Sequence, residues 1–303
     1  MKTMSDTSEQ MPDNATNMVP EYRCNLILPG AGKSGTSSLH NILDSHPDIY
    51  MSKPKEPQFF SFEDRFSLGA VVHNQIFDGC LEERVHGESS QCYFAHPKAI
   101  ARIKDALKNP KIIIMLRSPI DRLISQYAWN YRRGTEVSSL EEAIKLRGET
   151  TEYVYDERIG TYREIGGYVA FSRYSTWVPE WQRSFGNKSV LILSFENFVD
   201  NQQAVKEHCF DFLGLQPCHT PLVERANSTS KTVTQLLPSH YKLAAKLLPQ
   251  SIKKGELYRK LRERIWMGRT PQPDTSLSPN LRNWLERELE HDIDFHRQHS
   301  ARW

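Results

Sequence analysis

The sequence predicts an α/β protein, a single domain with a mostly parallel central sheet flanked by helices. Three observations lead there. The runs KIIIML at 111–116 and SVLILS at 189–194 are continuously apolar and rich in β-branched residues, as strands covered on both faces are. Segments with helical spacing alternate with them, the pattern of a helix-wrapped parallel sheet. A third apolar run, 25–28, leads into a glycine-rich turn, and Leu39, Ile42 and Leu43 then recur at helical spacing.

In chain order, the first strand is expected over 25–28, ended by Pro29 and Gly30, with a helix starting near Gly35 or Thr36. His46 and Pro47 close that helix, and 48–51 reads as a short strand. Two prolines keep 53–60 out of regular structure. Residues 61–86 carry no clear period, and 87–94 reads as a strand end or loop. His96-Pro97 opens a helix to about Lys108, with Ile100, Ile103 and Leu107 on one face. Strand 111–116 ends in Arg117-Ser118, and Pro119 suits the first turn of the next helix. A helix over 139–147 sits within an otherwise long polar connection, 134–167. Residues 171–185 read as two helical pieces or one kinked at Pro179. After strand 189–194 come a helix over 201–213 stopped by Gly214, a helix near 240–248 and a closing helix over 277–295.

Length and composition bound the function. A chain of 303 residues with 38% hydrophobic and 25% charged residues is an ordinary globular composition, and a net charge of +2 argues against a general nucleic-acid binder. The five cysteines are scattered, with no CxxC pair and no zinc spacing. That pattern suits a reducing compartment. No apolar run reaches membrane-spanning length, and 1–20 lacks the apolar stretch of a signal peptide. The expectation is a cytoplasmic protein with a disordered segment at 1–20 and one domain over 21–303.

The chemistry gathers in residues 24–43, CNLILPGAGKSGTSSLHNIL. Strand, glycine turn and helix form the geometry that binds phosphate. Glycines let the backbone approach and present its amides, and the helix start adds unpaired N–H groups. Gly32, Lys33, Ser34, Gly35, Thr36 and Ser37 are the candidate binding residues. A triphosphatase loop reads GxxxxGK[ST], but Ile27 stands where its first glycine belongs. Nor does strand 111–116 end in the aspartate that such enzymes use to hold magnesium. It ends in Arg117, which can clamp a phosphate with paired hydrogen bonds. Ser125 lies about two helical turns further on, where its hydroxyl could join the same phosphate. Both the loop and Arg117 follow strands directly, so both belong on the carboxyl rim of the sheet, where ligands bind.

These segments resemble a known family. Lys33-Ser34-Gly35-Thr36-Ser37 is similar to the KxGTT-type loop of the sulfotransferases. The segment 116–127, LRSPIDRLISQY, resembles their 3'-phosphate-binding LRxPxxRxxSxY. KEPQFF at 55–60 and GESSQCYF at 87–94 resemble the KExHFF and GEKSPxYF segments of the branch that contains heparan sulfate and bacterial carbohydrate sulfotransferases. The resemblance implies a P-loop-type domain that moves a sulfuryl group from 3'-phosphoadenosine 5'-phosphosulfate (PAPS) to a hydroxyl or amine of a glycan or small-molecule acceptor. No metal is implied. Gly35, Thr36 and Ser37 would hold the 5'-phosphate, Arg117 and Ser125 the 3'-phosphate, and Lys33 the leaving oxygen. Glu56 is the family-matched base, with His73, His86 and His96 as rivals. Residues 227–231, NSTSK, would cover the donor. Gln58 stands for the usual histidine and Ser89 for a lysine that holds acidic glycans, so the resemblance does not fix the acceptor. A P-loop kinase or NTPase, and a non-catalytic nucleotide-binding module, remain as alternatives.

Overall fold

The computed structural model describes residues 20–157, 160–218 and 272–301. Five strands form one sheet in the order β2-β3-β1-β4-β7: β1 is Leu26–Gly30, β2 Ile49–Met51, β3 Val85–Ser89, β4 Lys111–Leu116 and β7 Val190–Ser194. All of its pairings are parallel. The sheet is covered on both faces, and the strand sequences say why. In β4, Ile112, Ile114 and Leu116 enter one core while Ile113 and Met115 enter the other. Alternate side chains point to opposite faces, so an unbroken apolar run serves two cores at once.

Helices fill both layers. Leu39, Ile42 and Leu43 of α1 (Thr36–Asp44) pack on one face with Val205, Cys209 and Phe210 of α9 (Gln202–Phe212). Ile100 and Ile103 of α4 (Pro97–Ala106) and Val178 and Trp181 of α7 (Tyr174–Phe185) pack on the other. A third cluster joins α5 (Pro119–Arg133), α6 (Leu140–Arg147) and α10 (Pro279–Glu288) through Leu123, Tyr127, Ile144 and Leu285. Local chemistry sets several helix ends. Pro119 opens α5 and Gly134 closes it at φ 68°. Ser139 and Glu142 form a capping box on α6.

The chain leaves β1 toward β2 on one side and leaves β4 toward β7 on the other. β1 and β4 are neighbours, so the sheet's switch point lies between their carboxyl ends, the place where α/β sheets bind ligands. The glycine turn and Arg117 meet there. The Ala31 amide bonds the Met115 carbonyl at 2.8 Å, which ties the two strand ends together.

Three expectations need correction. The connection 134–167 is not merely polar linker around one helix. It contains an antiparallel hairpin, β5 (Thr151–Asp156) against β6 (Thr161–Gly166). Residues 61–94 hold α2 (Glu63–Phe66), α3 (Gly69–Asn74) and the full strand β3. β3 escapes an apolar search because its buried residues include Glu88 and Ser89. The closing helix divides at Leu289 into α10 and α11 (Glu290–Ser300). Between β7 and α9 lies α8 (Phe195–Asp200). The expected lead-in, the helix near 240–248 and the segment 227–231 lie outside the described residues. Among the described residues, no helix is long and apolar enough to cross a membrane.

Candidate active site

The turn after β1 is shaped for close approach. Gly35 has φ +85°, and a Cβ there would sit 2.8 Å from the Phe195 ring, so no larger residue fits. Lys33 itself adopts φ 71°, a left-handed conformation that costs an ordinary residue about 1–3 kcal/mol and recurs at functional sites. α1 begins at Thr36 with no side-chain cap. A helix start without a side-chain cap is a place where an anion can be received. Ser34 faces inward, fully buried, and its amide bonds Ala31. Thr36 is buried as well, while Gly32, Gly35 and Ser37 are half-buried.

Lys33 lies among cations. Its ammonium rests 4.1 Å from the centre of the Trp129 ring. Burial pulls its pKa down to about 8, with Arg132, Arg117, Arg133 and Arg122 adding to the fall. Such a lysine is poised for an anion, because an incoming negative charge opposes both the burial and the repulsion from the arginines. Arg117 meets the loop from the β4 side, its guanidinium donating to the Lys33 carbonyl at 3.4 Å and lying 5.0 Å from the Phe195 ring centre. The next residue is fixed too, since the Ser118 amide donates to Glu196 at 2.9 Å. Burial alone would raise Glu196, but bonds from His296 and that amide hold it at about 2.

Gly32, Lys33 and Glu56 line one cavity of about 120 Å³ together with Gln58, Gln91, Arg122, Gln126, Trp129, Tyr162 and Glu164. Arg117 and Ser125 do not line it. Arg117 sits against the backbone of the same loop, and Ser125 is half-buried on α5. Glu56 is held firmly. Its amide bonds the Ser89 carbonyl at 2.9 Å, one carboxylate oxygen accepts from the Gln91 amide at 2.8 Å, and the other pairs with Lys55. The rival histidines lie elsewhere. His73 is buried against Glu88 at 2.9 Å, His86 contacts Cys80 at 3.0 Å, and His96 caps α4.

The hairpin supplies what the sequence reading missed. Gln58 binds it like a strand neighbour, donating to the Tyr162 carbonyl at 3.0 Å and accepting from the Tyr162 amide at 2.9 Å. Tyr162 stacks on Phe62 with ring centres 3.7 Å apart. β6 thereby becomes a wall of the cavity and brings in Glu164. Arg122, fully buried, donates to Ser172 at 2.7 Å, to Gln126 at 2.7 Å and to the Tyr168 carbonyl at 2.5 Å. Gln126 passes this order on by donating to Glu164 at 2.8 Å. Burial pushes Glu164 up to about 8, Arg122 pulls against that, and Glu56 adds to the rise. Alternating Thr, Tyr, Val and Ile around a turn at Gly160 was the available signal for this hairpin. Ser89 is buried and pairs with His40 at 2.8 Å. Burial holds that histidine down at about 4.

Gln58→Ala should free the hairpin from the Glu56 loop. The expected result is about tenfold loss of turnover, in keeping with the sensitivity of catalysis to small misplacements, with faster amide exchange confined to β5 and β6. Unchanged exchange there would show that Gln58 does not hold the wall.

Comparison with known proteins places this arrangement. The sulfotransferase domain family matches residues 24–266. Heparan sulfate glucosamine 3-O-sulfotransferase 3A1 of Mus musculus is 26% identical over 215 residues, covering 70% of this chain and 52% of that protein. The 3B1 enzyme of Homo sapiens is 25% identical over 190 residues, 63% of this chain and 46% of that protein. The chain thus spans about half the length of these curated relatives. A crystal structure of a sulfotransferase from Alicyclobacillus acidocaldarius superposes with a TM-score of 0.62 at 26% identity, covering 91% of this chain and 95% of that one. With a parallel sheet, a phosphate-type turn and an arginine-tipped strand already joined at one rim, the match over 24–266 settles the family: this chain belongs to the sulfotransferases.

Proposed function

We propose that the protein transfers a sulfuryl group from PAPS to a hydroxyl or amine of a glycan or small-molecule acceptor. The observation that carries this reading is that Lys33 shares a cavity with Glu56 while Arg117 touches the backbone of the same loop. One donor can therefore meet all three. In this reading the amides of Gly35, Thr36 and Ser37 receive the 5'-phosphate, with Gly32 and Ser34 shaping the turn. Arg117 takes the 3'-phosphate, joined by Ser125 of α5. The acceptor oxygen forms a bond to sulfur as the bond from sulfur to the bridging phosphate oxygen breaks. The acceptor proton goes to Glu56, and the electron pair leaves with the adenosine bisphosphate. Lys33 meets the charge growing on the bridging oxygen, the place where a preorganised donor has most effect.

No step in this scheme is routed through a metal. A kinase or NTPase reading lacks support from the arginine-tipped β4. A purely binding module has no use for a carboxylate held by both Gln91 and Lys55 at the cavity. The cysteines of the described residues are all free thiols, which supports the cytoplasm as the proposed location. The test is a screen of hydroxyl and amine acceptors with labelled PAPS, run with and without magnesium, beside an ATP hydrolysis assay. Acceptor-dependent release of adenosine 3',5'-bisphosphate (PAP) is expected. Magnesium-dependent ATP turnover with no PAP release would favour the kinase reading.

A further inference from the structure

Glu88 is a fully buried acidic residue that the proposed reaction does not use. It stands on β3, paired with β1 opposite Ile27, and three side chains converge on it. The hydroxyls of Ser90 and Tyr93 both donate to its Oε1, Ser90 at 3.2 Å, and His73 Nε2 lies 2.9 Å from its Oε2. All four residues are almost wholly buried. A carboxylate kept from water is costly unless its oxygens are bonded, and here both have partners.

A serine or tyrosine hydroxyl has one proton to give. Ser90 and Tyr93 give theirs to Glu88, so their oxygens are left to accept. Ser90 accepts from the Gln58 amide at 2.9 Å, and Tyr93 from the Phe60 amide at 3.1 Å. Those amides belong to the loop that carries Glu56. Glu56 and Gln58 both adopt left-handed backbone, at φ 61° and 56°, which non-glycine residues keep only where their surroundings impose it. The same segment adds two more bonds. The Ser89 carbonyl accepts the Glu56 amide at 2.9 Å, and the Gln91 amide donates to the Glu56 carboxylate at 2.8 Å. Residues 88–93 thus grip 56–60 at four points, and Glu88 sets the polarity of two of them.

Resting on the sulfuryl-transfer reading, we propose that Glu88 is a positioning residue for that reaction. Through Ser90 and Tyr93 it holds the Glu56 carboxylate where it takes the acceptor proton. His73 completes the arrangement at the second oxygen. Its ring packs on Phe59 and Phe60 of the same loop, with centres 4.6 and 5.1 Å apart. Glu88 does not line the cavity shared by Lys33 and Glu56, so it acts through the loop alone.

The test uses the full chain, labelled PAPS and the acceptor that releases PAP fastest in the acceptor screen. Turnover at saturation, PAP affinity and melting are read for each variant. Ser90→Ala and Tyr93→Phe should each lower turnover about tenfold, in line with the cost of small misplacements, with PAP affinity unchanged. In a Glu56→Gln background neither should lower it further, because no base is left to misplace. With PAP bound, amide exchange over 56–60 should quicken in both while 32–37 keeps the parent rate. Glu88→Gln keeps an oxygen for both hydroxyls but sets an amide against His73, whose Nδ1 has no partner among the described residues. It should melt lower yet turn over nearly as fast as the parent. Glu88→Leu offers no acceptor and should lose at least as much turnover as Ser90→Ala. A loss that persists undiminished in Glu56→Gln, parent-like turnover in both hydroxyl variants, or equal losses in Glu88→Gln and Glu88→Leu would each overturn the proposal. If Glu88→Leu does not fold, the hydroxyl variants and their Glu56→Gln doubles decide it. No acceptor-dependent PAP release from the parent would instead count against the sulfuryl-transfer reading.

Discussion

Lys33→Ala is expected to lower sulfuryl transfer at saturating donor by about 10²–10³-fold, the usual cost of removing one preorganised donor at a developing charge. The fold should survive. Because burial and neighbouring arginines hold Lys33 at about 8, below its ordinary value, the unfolded chain binds that proton more tightly than the folded one. Between pH 8 and the ordinary lysine range, stability therefore rises with pH, and at neutral pH the Lys33 charge opposes folding. The alanine variant should melt no lower than the parent. The same shift links donor binding to protons. An anion raises the lysine again, so PAP binding near pH 8.5 should take up a proton in the parent and none in the variant. Full activity in Lys33→Ala would remove the residue from the reaction.

Glu56→Gln should cost about 10²–10⁴-fold in turnover, the range for general base catalysis, and leave PAP affinity unchanged. Glutamine still offers an oxygen to the Gln91 amide, so the loop should keep its place. The carboxylate, held in a left-handed residue at φ 61° between Gln91 and Lys55, is what the substitution removes. If PAP affinity collapses while turnover at saturation holds, Glu56 is a structural anchor.

Much of this was legible because burial writes itself into apolar periodicity. β4 and β7 appear as KIIIML and VLILS, and the loop and Arg117 follow strands as read. What escaped was structure held by polar contacts. β3 buries Glu88 and Ser89, whose partners His73 and His40 lie 15 and 49 residues away. The hairpin is half exposed and depends on Gln58, 104 residues from Tyr162. No local pattern encodes pairs so distant. Gln58 shows the difficulty well: as a departure from the family's histidine it left the acceptor unfixed, and in three dimensions it bonds the hairpin strand that lines the cavity. Glu164 was missed with the hairpin that carries it.

The central claim is that one cleft grips both phosphate ends of a single adenosine nucleotide, with Lys33 at one end and Arg117 at the other. Calorimetric titration with PAP against ADP tests it most directly, because only PAP carries the 3'-phosphate. A charge-assisted hydrogen bond contributes about 1.5–3 kcal/mol, so PAP should bind about 10–100-fold tighter than ADP. Arg117→Ala should close that gap without weakening ADP. Equal affinities in the parent, or a gap that persists in Arg117→Ala, would contradict the account.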